Sequence, residues 1–360
     1  MKFVFGAGGT GGHIIPAISL ADELKHRGHE CYFVGNANSM EESLCTSSEY
    51  KFYPMKVQKL YRNLKPENLL FPYYLITSIY KALKVVRTVS PDAVICTGGF
   101  VSGPVAIAAV LSKTPLFFHE SNSFPGLVTR FMTKYINTIY ISFESTRKYL
   151  PMAKLINLGI PLKQKPVDNF KLEELGLTES KPTILVSGGS QGSLAINKVV
   201  EQALPAILEK GYQLIWQTGK ATYSKFAQNQ NQAGVYLFDF SSRLPSMLAE
   251  ADIAITRAGA MSIAEQKETR TPAILIPLPT AAENHQYYNA LEQDNLGLAK
   301  MLEQNKLTQQ SLLQAIDAIA THLSEYKQRL NMLPVNNASA SIVDDILFRL
   351  ATTNAKTKGV

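Results

Sequence analysis

The sequence predicts an α/β protein built from two Rossmann-like domains, and three observations lead to this prediction. Short apolar runs alternate with amphipathic helical patterns, which is typical of parallel sheets covered by helices on both faces. Each half of the chain begins with such a run followed by a glycine-rich loop, near Gly6 and again near Gly188. The chain has 360 residues, which exceeds what one hydrophobic core usually organises.

Strands are predicted where the apolar runs lie. In the first half they cover residues 2–5, 30–34, 93–96, 116–119 and 138–141. In the second half they cover residues 183–187, 213–217, 235–238, 253–256 and 273–277.

The domain boundary is predicted at the turn that contains Gly159 and Pro161, because a charged segment without apolar periodicity follows it. We assign residues 1–161 to an N-terminal domain and residues 162–337 to a C-terminal domain. A final amphipathic pattern at residues 338–350 predicts a helix that packs back on the first domain.

Composition narrows the class of protein. The 36 basic residues exceed the 29 acidic ones, and the net charge of +7 suits an anionic ligand or an anionic membrane surface. No block of lysine and arginine and no aromatic RNA-binding signature is present, so nucleic acid is not an expected partner. The three cysteines are far apart and form no CxxC pair, which argues against a disulfide framework or a zinc site.

Targeting and membrane-spanning segments are not expected. Met1 and Lys2 lead directly into an apolar strand, which leaves no room for a signal peptide. The most apolar long stretch, residues 69–80, contains Pro72, and we expect it to be broken there and too short to span a bilayer. The expectation is a soluble protein of a reducing compartment that can contact a membrane.

The first glycine loop, from Gly6 to His13, runs from a strand into a helix. Glycines let backbone amides approach a ligand, and the helix N-terminus favours an anion. The loop contains GxGxxG, so a nicotinamide dinucleotide is one possible ligand. That fingerprint also requires an acid at the end of the second strand, which here ends at Asn36 with no carboxylate before Glu41. The dinucleotide interpretation is therefore weak.

The second glycine loop, from Ser187 to Ser193, repeats these features in the second half. A tight turn that packs a helix on a strand would explain either loop alone. Two such loops suit two phosphorylated ligands.

The segment from Arg257 to Glu265 has two interpretations. Ser262 and Glu265 have the spacing of a capping box, in which the glutamate only satisfies a backbone amide. Alternatively, Glu265 lies on the first helical turn and accepts hydrogen bonds from a ribose diol. The loop that follows, residues 277–289, is rich in amide and imidazole groups that could bind the hydroxyls of a sugar.

Two segments of the first half, residues 97–104 and 119–126, each follow a predicted strand and carry polar groups. The carboxyl edge of a parallel sheet is where ligands bind in this architecture. A single histidine at a strand end, such as His119, is more often structural than catalytic.

Taken in order, these motifs resemble the MurG family of bacterial glycosyltransferases, which make the disaccharide of the lipid-linked peptidoglycan precursor. The resemblance covers residue 1 to about 350 and rests on six ordered motifs. These are Gly8-Gly-Thr-Gly-Gly-His13 with Pro16, Gly98-Gly-Phe-Val-Ser-Gly103-Pro104, His119-Glu-Ser-Asn122 with Pro125-Gly126, Gly188-Gly-Ser-Gln-Gly192, Arg257-Ala-Gly-Ala260 with Glu265, and His285-Gln286 with Asn289.

The resemblance implies a glycosyltransferase B fold, with two Rossmann-like domains facing across a cleft. It implies inverting transfer of N-acetylglucosamine from UDP-N-acetylglucosamine to the 4-hydroxyl of undecaprenyl-pyrophosphoryl-muramyl-pentapeptide. No cofactor and no metal are implied, and the chain lacks the DxD triad of metal-dependent transferases. The implied location is peripheral, on the cytoplasmic face of the bacterial plasma membrane.

The resemblance also implies the substrate-binding residues. Glu265 would bind the ribose, Ser190, Met261 and Ser262 the diphosphate, and Ala260, His285 and Gln286 the sugar. The remaining implied residues are Thr10, Gly11, Gly12, Asn122, Lys163, Ser241 and Asn289. Four positions depart from the family pattern: Lys163 replaces an arginine, Phe100 a tyrosine, Ser121 a glutamine and Ser241 an isoleucine.

His13 is the first candidate for the base that removes the proton of the acceptor hydroxyl. A helix N-terminus disfavours the imidazolium and keeps the ring neutral. The same location would also let His13 only line the acceptor site. His119 and Glu120 are the reserve candidates.

Residues 69–79 are apolar and aromatic, and they lie among Lys65, Lys81, Lys84 and Arg87. Such a stripe is commonly core, but the basic rim also suits a surface that rests on an anionic membrane. Three other functions stay open: a diacylglycerol glycosyltransferase, a UDP-N-acetylglucosamine 2-epimerase and a dinucleotide-dependent oxidoreductase.

Overall fold

The computed structural model describes residues 1–60, 66–163 and 169–358, apart from the side chains of Glu67 and residues 354–358. The chain divides into two compact units. The first unit contains Met1–Gln164 and Asn336–Val360, and the second contains Lys165–Val335. The boundary predicted from the sequence, between residues 161 and 162, lies three residues before the end of the first segment.

The first unit is organised by a seven-stranded parallel sheet of order β3-β2-β1-β4-β5-β6-β7. Its strands are β1 (Lys2–Gly6), β2 (Glu30–Asn36), β3 (Lys51–Met55), β4 (Ala93–Cys96), β5 (Leu116–Glu120), β6 (Thr138–Ile141) and β7 (Leu155–Asn157). Its helices are α1 (Gly11–His26), α2 (Met40–Ser47), α3 (Phe71–Val89), α4 (Ser102–Leu111), α5 (Leu127–Met132) and, from the end of the chain, α12 (Ala338–Lys358).

The second unit contains a six-stranded parallel sheet of order β10-β9-β8-β11-β12-β13. Its strands are β8 (Thr183–Ser187), β9 (Gln213–Gln217), β10 (Val235–Phe238), β11 (Ile253–Thr256), β12 (Ala273–Leu275) and β13 (Ala299–Met301). Its helices are α6 (Leu194–Glu209), α7 (Leu244–Ala249), α8 (Ala260–Thr269), α9 (His285–Asn295), α10 (Gln309–Thr321) and α11 (Leu323–Asn331).

The prediction of two Rossmann-like parallel sheets is confirmed, and the central strands show why it was possible. All residues of β4, β5 and β8 are buried, because helices cover both faces of each sheet. A strand buried on both faces must be a continuous apolar run, which is the pattern that the sequence displays.

Three strands, β3, β7 and β13, were not predicted. Each lies at the edge of its sheet and is only partly buried. An edge strand has one neighbour and some solvent contact, so its sequence does not need a continuous apolar run. Leu155–Asn157 and Ala299–Met301 are also only three residues long.

The final helix α12 packs on α1 in the first unit. Ile342, Val343 and Ile346 are fully buried in the same core as Phe3 and Phe5. At the rim of this contact, the Tyr140 hydroxyl donates to Asp345 at 2.7 Å, and Arg27 pairs with Asp344. The chain therefore returns to its first domain after completing the second.

Candidate active site

His13 is the third residue of α1 and is held by Thr97, which follows β4. Nδ1–H of His13 donates to the Thr97 carbonyl at 3.1 Å, and the Thr97 hydroxyl donates to the His13 carbonyl at 2.6 Å. The first bond places the proton on Nδ1, so Nε2 keeps the lone pair that a base needs. Burial lowers the pKa of His13 below its ordinary value and keeps the ring neutral.

Two glycines after β4 allow this approach. A Cβ on Gly98 would lie 2.7 Å from Nδ1 of His13, and a Cβ on Gly99 would lie 2.0 Å from the Gly8 carbonyl oxygen. Both residues also have positive φ, at 101° and 79°. The loop from Gly98 to Phe100 and the first glycine loop are thus in direct backbone contact.

Glu41 lies against the first glycine loop. In the sequence it is the first carboxylate after the second strand, and it comes too late to be the acid that binds a ribose. It is 3% exposed, and its carboxylate accepts from the amide of Gly9 at 3.5 Å and from that of Asn36 at 3.3 Å. Glu41 thereby occupies the amide of Gly9, which lies inside the GxGxxG segment that a dinucleotide would contact. This arrangement weighs further against the dinucleotide interpretation.

His119, a reserve candidate for the base, is fully buried. Its Nε2–H donates to the Gly159 carbonyl at 3.0 Å, and its Nδ1 lies 3.3 Å from the Ser121 hydroxyl. Burial lowers its pKa to about 4. Both ring nitrogens are engaged inside the unit, so the geometry favours His13 over His119 as the base.

Glu120, the other reserve candidate, braces the loop that carries Asn122. Its carboxylate accepts from the amide of Asn122 at 3.1 Å, the amide of Gly126 at 3.0 Å and the hydroxyl of Thr129 at 2.8 Å. Burial raises its pKa, against the effect of these bonds. A carboxylate with three internal donors is suited to holding a loop in place.

The other first-unit residues implied by the resemblance lie around His13. Thr10 is exposed, and Gly11, Gly12 and Asn122 are half-buried. The Ser121 hydroxyl lies 3.4 Å from the Gly12 carbonyl oxygen, which links the Asn122 loop to the glycine loop. Ser121 therefore joins the two segments.

The second glycine loop, after β8, is wound tightly against the loop that follows β9. A Cβ on Gly192, whose φ is 82°, would lie 2.0 Å from the Thr218 carbonyl oxygen. Ser193 caps α6 by accepting from the amide of Ile196 at 3.3 Å. Ser190 is exposed at the tip, beside a helix N-terminus that favours an anion.

Helix α8 begins at Ala260 with Gly259 as its N-cap, so the expectation that Glu265 lies on the first helical turn was wrong. Ser262 is already inside the helix, and the capping-box explanation of Glu265 is therefore wrong as well. Glu265 lies in the second turn and is half-buried. The extended backbone of Gly259, which sequence spacing could not locate, sets this start.

Two polar residues of α9 bind neighbouring loops. Asn289 is fully buried and its side-chain amide donates to the Ala258 carbonyl at 3.2 Å. Gln286 accepts from the amide of Leu278 at 3.0 Å. Asn289 therefore positions the loop before Ala260.

The turn that leads into α9 is strained. Glu283 and Asn284 have positive φ values of 53° and 52°, which are unfavourable for residues other than glycine. Nδ1–H of His285 donates to the Ala282 carbonyl at 2.6 Å and closes this turn. Strain of this kind is concentrated at functional sites.

Ser241 is held by Gln217, a residue that sequence reasoning missed. The Ser241 amide donates to the Gln217 side chain at 3.3 Å, and Gln217 donates to the Ser187 hydroxyl at 3.0 Å. Gln217 ends β9 at the carboxyl edge of the sheet, and that position was the available signal. Thr97 lies in the segment 97–104 that was expected at the sheet edge, but its bond to His13 was not predicted.

Lys163 is exposed at the end of a described segment, and none of the described residues forms an ion pair with it. Within the described residues, no group of three or more histidine, cysteine, aspartate or glutamate side chains could hold a metal ion.

Helix α3 differs from its prediction. Pro72 lies in the first turn of the helix. Backbone N–H groups there have no partner within the helix, so a proline, which has no N–H, does not break the apolar stretch. Counted from Asn68 to Val89, this is the one helix of the described residues that is long and apolar enough to cross a membrane, by length and composition only. The expectation that the stretch is too short was therefore wrong.

The outer side of α3 is exposed rather than core. Tyr73 is 63% exposed, Ile76 67% and Tyr80 69%. Lys81, Lys84 and Arg87 are exposed on the same helix. Lys65, the fourth basic residue of the predicted rim, lies outside the described residues.

Comparison with known proteins places the chain in a family. The model for the glycosyltransferase family 28 N-terminal domain matches residues 3–141, and that for the C-terminal domain matches residues 183–346. A Christiangramia forsetii protein named UDP-N-acetylglucosamine–N-acetylmuramyl-(pentapeptide) pyrophosphoryl-undecaprenol N-acetylglucosamine transferase is 34% identical over 359 residues, covering 96% of this chain and 97% of that protein.

Solved structures agree on the fold. The crystal structure of Acinetobacter baumannii MurG has a TM-score of 0.78 and 24% identity, with 96% of this chain and 99% of that chain covered. A putative UDP-N-acetylglucosamine 2-epimerase from Listeria monocytogenes has a TM-score of 0.68 and 14% identity, with 95% and 94% covered. The full-length match to the curated transferase decides between these two names, and the chain belongs to glycosyltransferase family 28, in the MurG family of N-acetylglucosamine transferases.

Proposed function

We propose that this protein transfers N-acetylglucosamine from UDP-N-acetylglucosamine to the 4-hydroxyl of undecaprenyl-pyrophosphoryl-muramyl-pentapeptide, with inversion at the anomeric carbon. The Christiangramia forsetii relative, which is matched over 97% of its own length, is named as an N-acetylglucosamine transferase with this donor and acceptor. The observation that carries the proposal for this chain is His13, whose Nδ1 is bound to Thr97 so that Nε2 is basic and the ring neutral. That is the state that a general base requires.

In the proposed step, Nε2 of His13 removes the proton of the acceptor hydroxyl as its oxygen bonds to the anomeric carbon. The bond from that carbon to the diphosphate breaks, and UDP leaves with the electron pair. Backbone amides of the loop from Ser187 to Ser193, with the helix N-termini of α6 and α8, offset the charge on UDP.

The second unit is proposed to hold the donor. Glu265 binds the ribose, the segment of Ser241 contacts the uracil, and Ser190, Met261 and Ser262 bind the diphosphate. Ala260, His285 and Gln286 bind the sugar. Lys163, at the end of a described segment of the first unit, is proposed to add a positive charge. Asn289 acts by positioning, because its side chain is buried against Ala258.

The first unit is proposed to hold the acceptor and to meet the membrane. Thr10, Gly11, Gly12 and Asn122 surround His13 in sequence or through Ser121. The acceptor carries an undecaprenyl chain, so the enzyme must work at a lipid surface. The exposed apolar side of α3, with its three exposed basic residues, supports a peripheral location on an anionic membrane face.

The test is an assay of the purified protein with labelled UDP-N-acetylglucosamine and lipid-linked muramyl-pentapeptide pyrophosphate in anionic vesicles. Transfer of label to the lipid is expected, and none to diacylglycerol in the same vesicles. Without acceptor, a transferase leaves the donor unchanged, whereas a 2-epimerase converts it. Epimer formation, or transfer to diacylglycerol alone, would contradict the proposal.

A further inference from the structure

Arg257 is a buried cation that is bound only to neutral groups. It follows β11 and is 9% exposed. Nη1 donates to the carbonyl oxygens of Ile276 and Pro277 at 3.2 and 3.3 Å. Nη2 donates to the Ser193 hydroxyl and to the Gln304 side chain, both at 2.6 Å. No carboxylate of the described residues pairs with it.

This arrangement leaves the positive charge without compensation. Four neutral acceptors bind Nη1 and Nη2, but they do not neutralise the charge. Burial lowers the pKa of Arg257 to about 10. A buried charge is costly unless an anion accompanies it. The structure keeps Arg257 in this state, which indicates that an anion from outside the chain completes it.

The bonds of Arg257 join two segments of the proposed donor site. Ser193 ends the second glycine loop and caps α6, and a Cβ on Gly188 would lie 2.5 Å from its amide nitrogen. Pro277 begins the loop that leads to α9 and Gln286. A single guanidinium therefore sets the position of the Ser187–Ser193 loop relative to the loop that begins at Pro277.

We propose that Arg257 is a positioning residue of the donor site, whose uncompensated charge makes the Ser187–Ser193 loop selective for a nucleoside diphosphate over the nucleoside. This rests on the proposed function in one respect, namely that the second unit binds UDP-sugar. The proposal adds Arg257 to the donor site and gives a physical cause for selectivity toward the diphosphate. Because UDP gains negative charge as it leaves, the same cation also favours bond breaking.

Gln304→Glu tests the charge without removing the arginine. The substitution keeps the shape of the side chain and places a carboxylate 2.6 Å from Nη2. We expect affinity for UDP to fall about tenfold or more, the size of one charge-assisted interaction, while affinity for uridine stays the same. Thermal stability should hold or rise, because the buried charge gains a partner.

Gln310→Glu is the matched control. Gln310 is exposed on the first turn of α10, so this variant makes the same change in net charge away from Arg257. Its preference for UDP over uridine should equal that of the wild type. Affinities for uridine and UDP are measured by calorimetry or by competition, for all variants at one salt concentration.

Arg257→Lys separates charge from positioning. Lysine keeps the charge but cannot make four fixed bonds, so we expect the preference for UDP to persist while kcat falls. The proposal is overturned if Gln304→Glu and Gln310→Glu share one preference for UDP, or if Gln304→Glu weakens uridine and UDP equally. A wild type that binds uridine and UDP equally would instead contradict the proposed donor.

Discussion

The α-carbon of Gly98 lies so close to the ring of His13 that a Cβ there would be 2.7 Å from Nδ1. The methyl group of an alanine at this position would displace the His13 ring or break its bond to Thr97. Gly98 and His13 are 85 residues apart in sequence, so only the sheet brings them together. This relationship makes the proposed base depend on a glycine that itself carries no chemistry.

Gly98→Ala should therefore lower turnover strongly and also lower stability by about 1 kcal/mol or more, because its φ is positive. Gly28→Ala is the matched control, since Gly28 has a φ of 80° and no neighbour that a Cβ would meet within 4 Å. The control shares the backbone strain but spares His13. Turnover and thermal unfolding are measured for both, and equal turnover in the two variants would contradict the role of Gly98.

His13→Ala should lower kcat about 10²–10⁴-fold, the usual contribution of a positioned proton transfer, with little change in donor affinity. His26→Ala is the control, because His26 is exposed at the other end of the same helix. A normal kcat with a raised KM for the acceptor would make His13 a binding residue instead.

The pH profile of the wild type offers a second check on His13. The neutral ring is the active form, so kcat/KM should rise with pH through the pKa of His13 and stay level above it. Burial lowers this pKa, so activity should persist at a more acidic pH than an ordinary histidine allows. The measurement covers about pH 5 to 8. A rising limb above the ordinary histidine value would contradict this assignment.

Glu265→Gln should weaken binding of both uridine and UDP-N-acetylglucosamine, since the proposed contact is with the ribose. Stability should change little, because Glu265 is not a capping residue of α8. Glu268→Gln is the control, on an exposed position of the same helix. Calorimetric titration of each variant decides the matter, and a lower melting temperature with unchanged affinity would show a purely structural role.

The membrane contact is tested on two exposed apolar residues in the first two turns of α3. Replacing Tyr73 and Ile76 with serine should reduce sedimentation with anionic vesicles and leave uridine binding unchanged. Raised salt should weaken only the electrostatic part of the membrane-binding free energy, to which Lys81, Lys84 and Arg87 contribute about 1 kcal/mol each.

Replacing Leu296 and Met332 with serine is the control for that experiment. Both residues are exposed and apolar, but they belong to the second unit. Vesicle binding should match that of the wild type. If the wild type does not sediment, or if both double variants bind vesicles equally, α3 is not the membrane contact. Phe71 and Leu75 are less suitable targets because they are half-buried.

The two parallel sheets, their central strands and the two glycine loops were all predictable from the amino-acid sequence. Strands such as β4 and β8 are buried on both faces, and that burial requires the apolar runs that identify them. Gly98 and Gly192 are needed where φ is positive and backbones touch, so their presence marks the loops. These features depend on local chemistry, which a single sequence displays.

Tertiary structure alone decided the states of the individual site residues. His13 and His119 both stand at loop edges in the sequence, yet one keeps a basic nitrogen while the other is enclosed by Gly159 and Ser121. Arg257 is recognised as an uncompensated cation only when its four neutral acceptors are seen together. Burial and charge compensation depend on residues far apart in the chain, because packing of the whole unit brings them into contact.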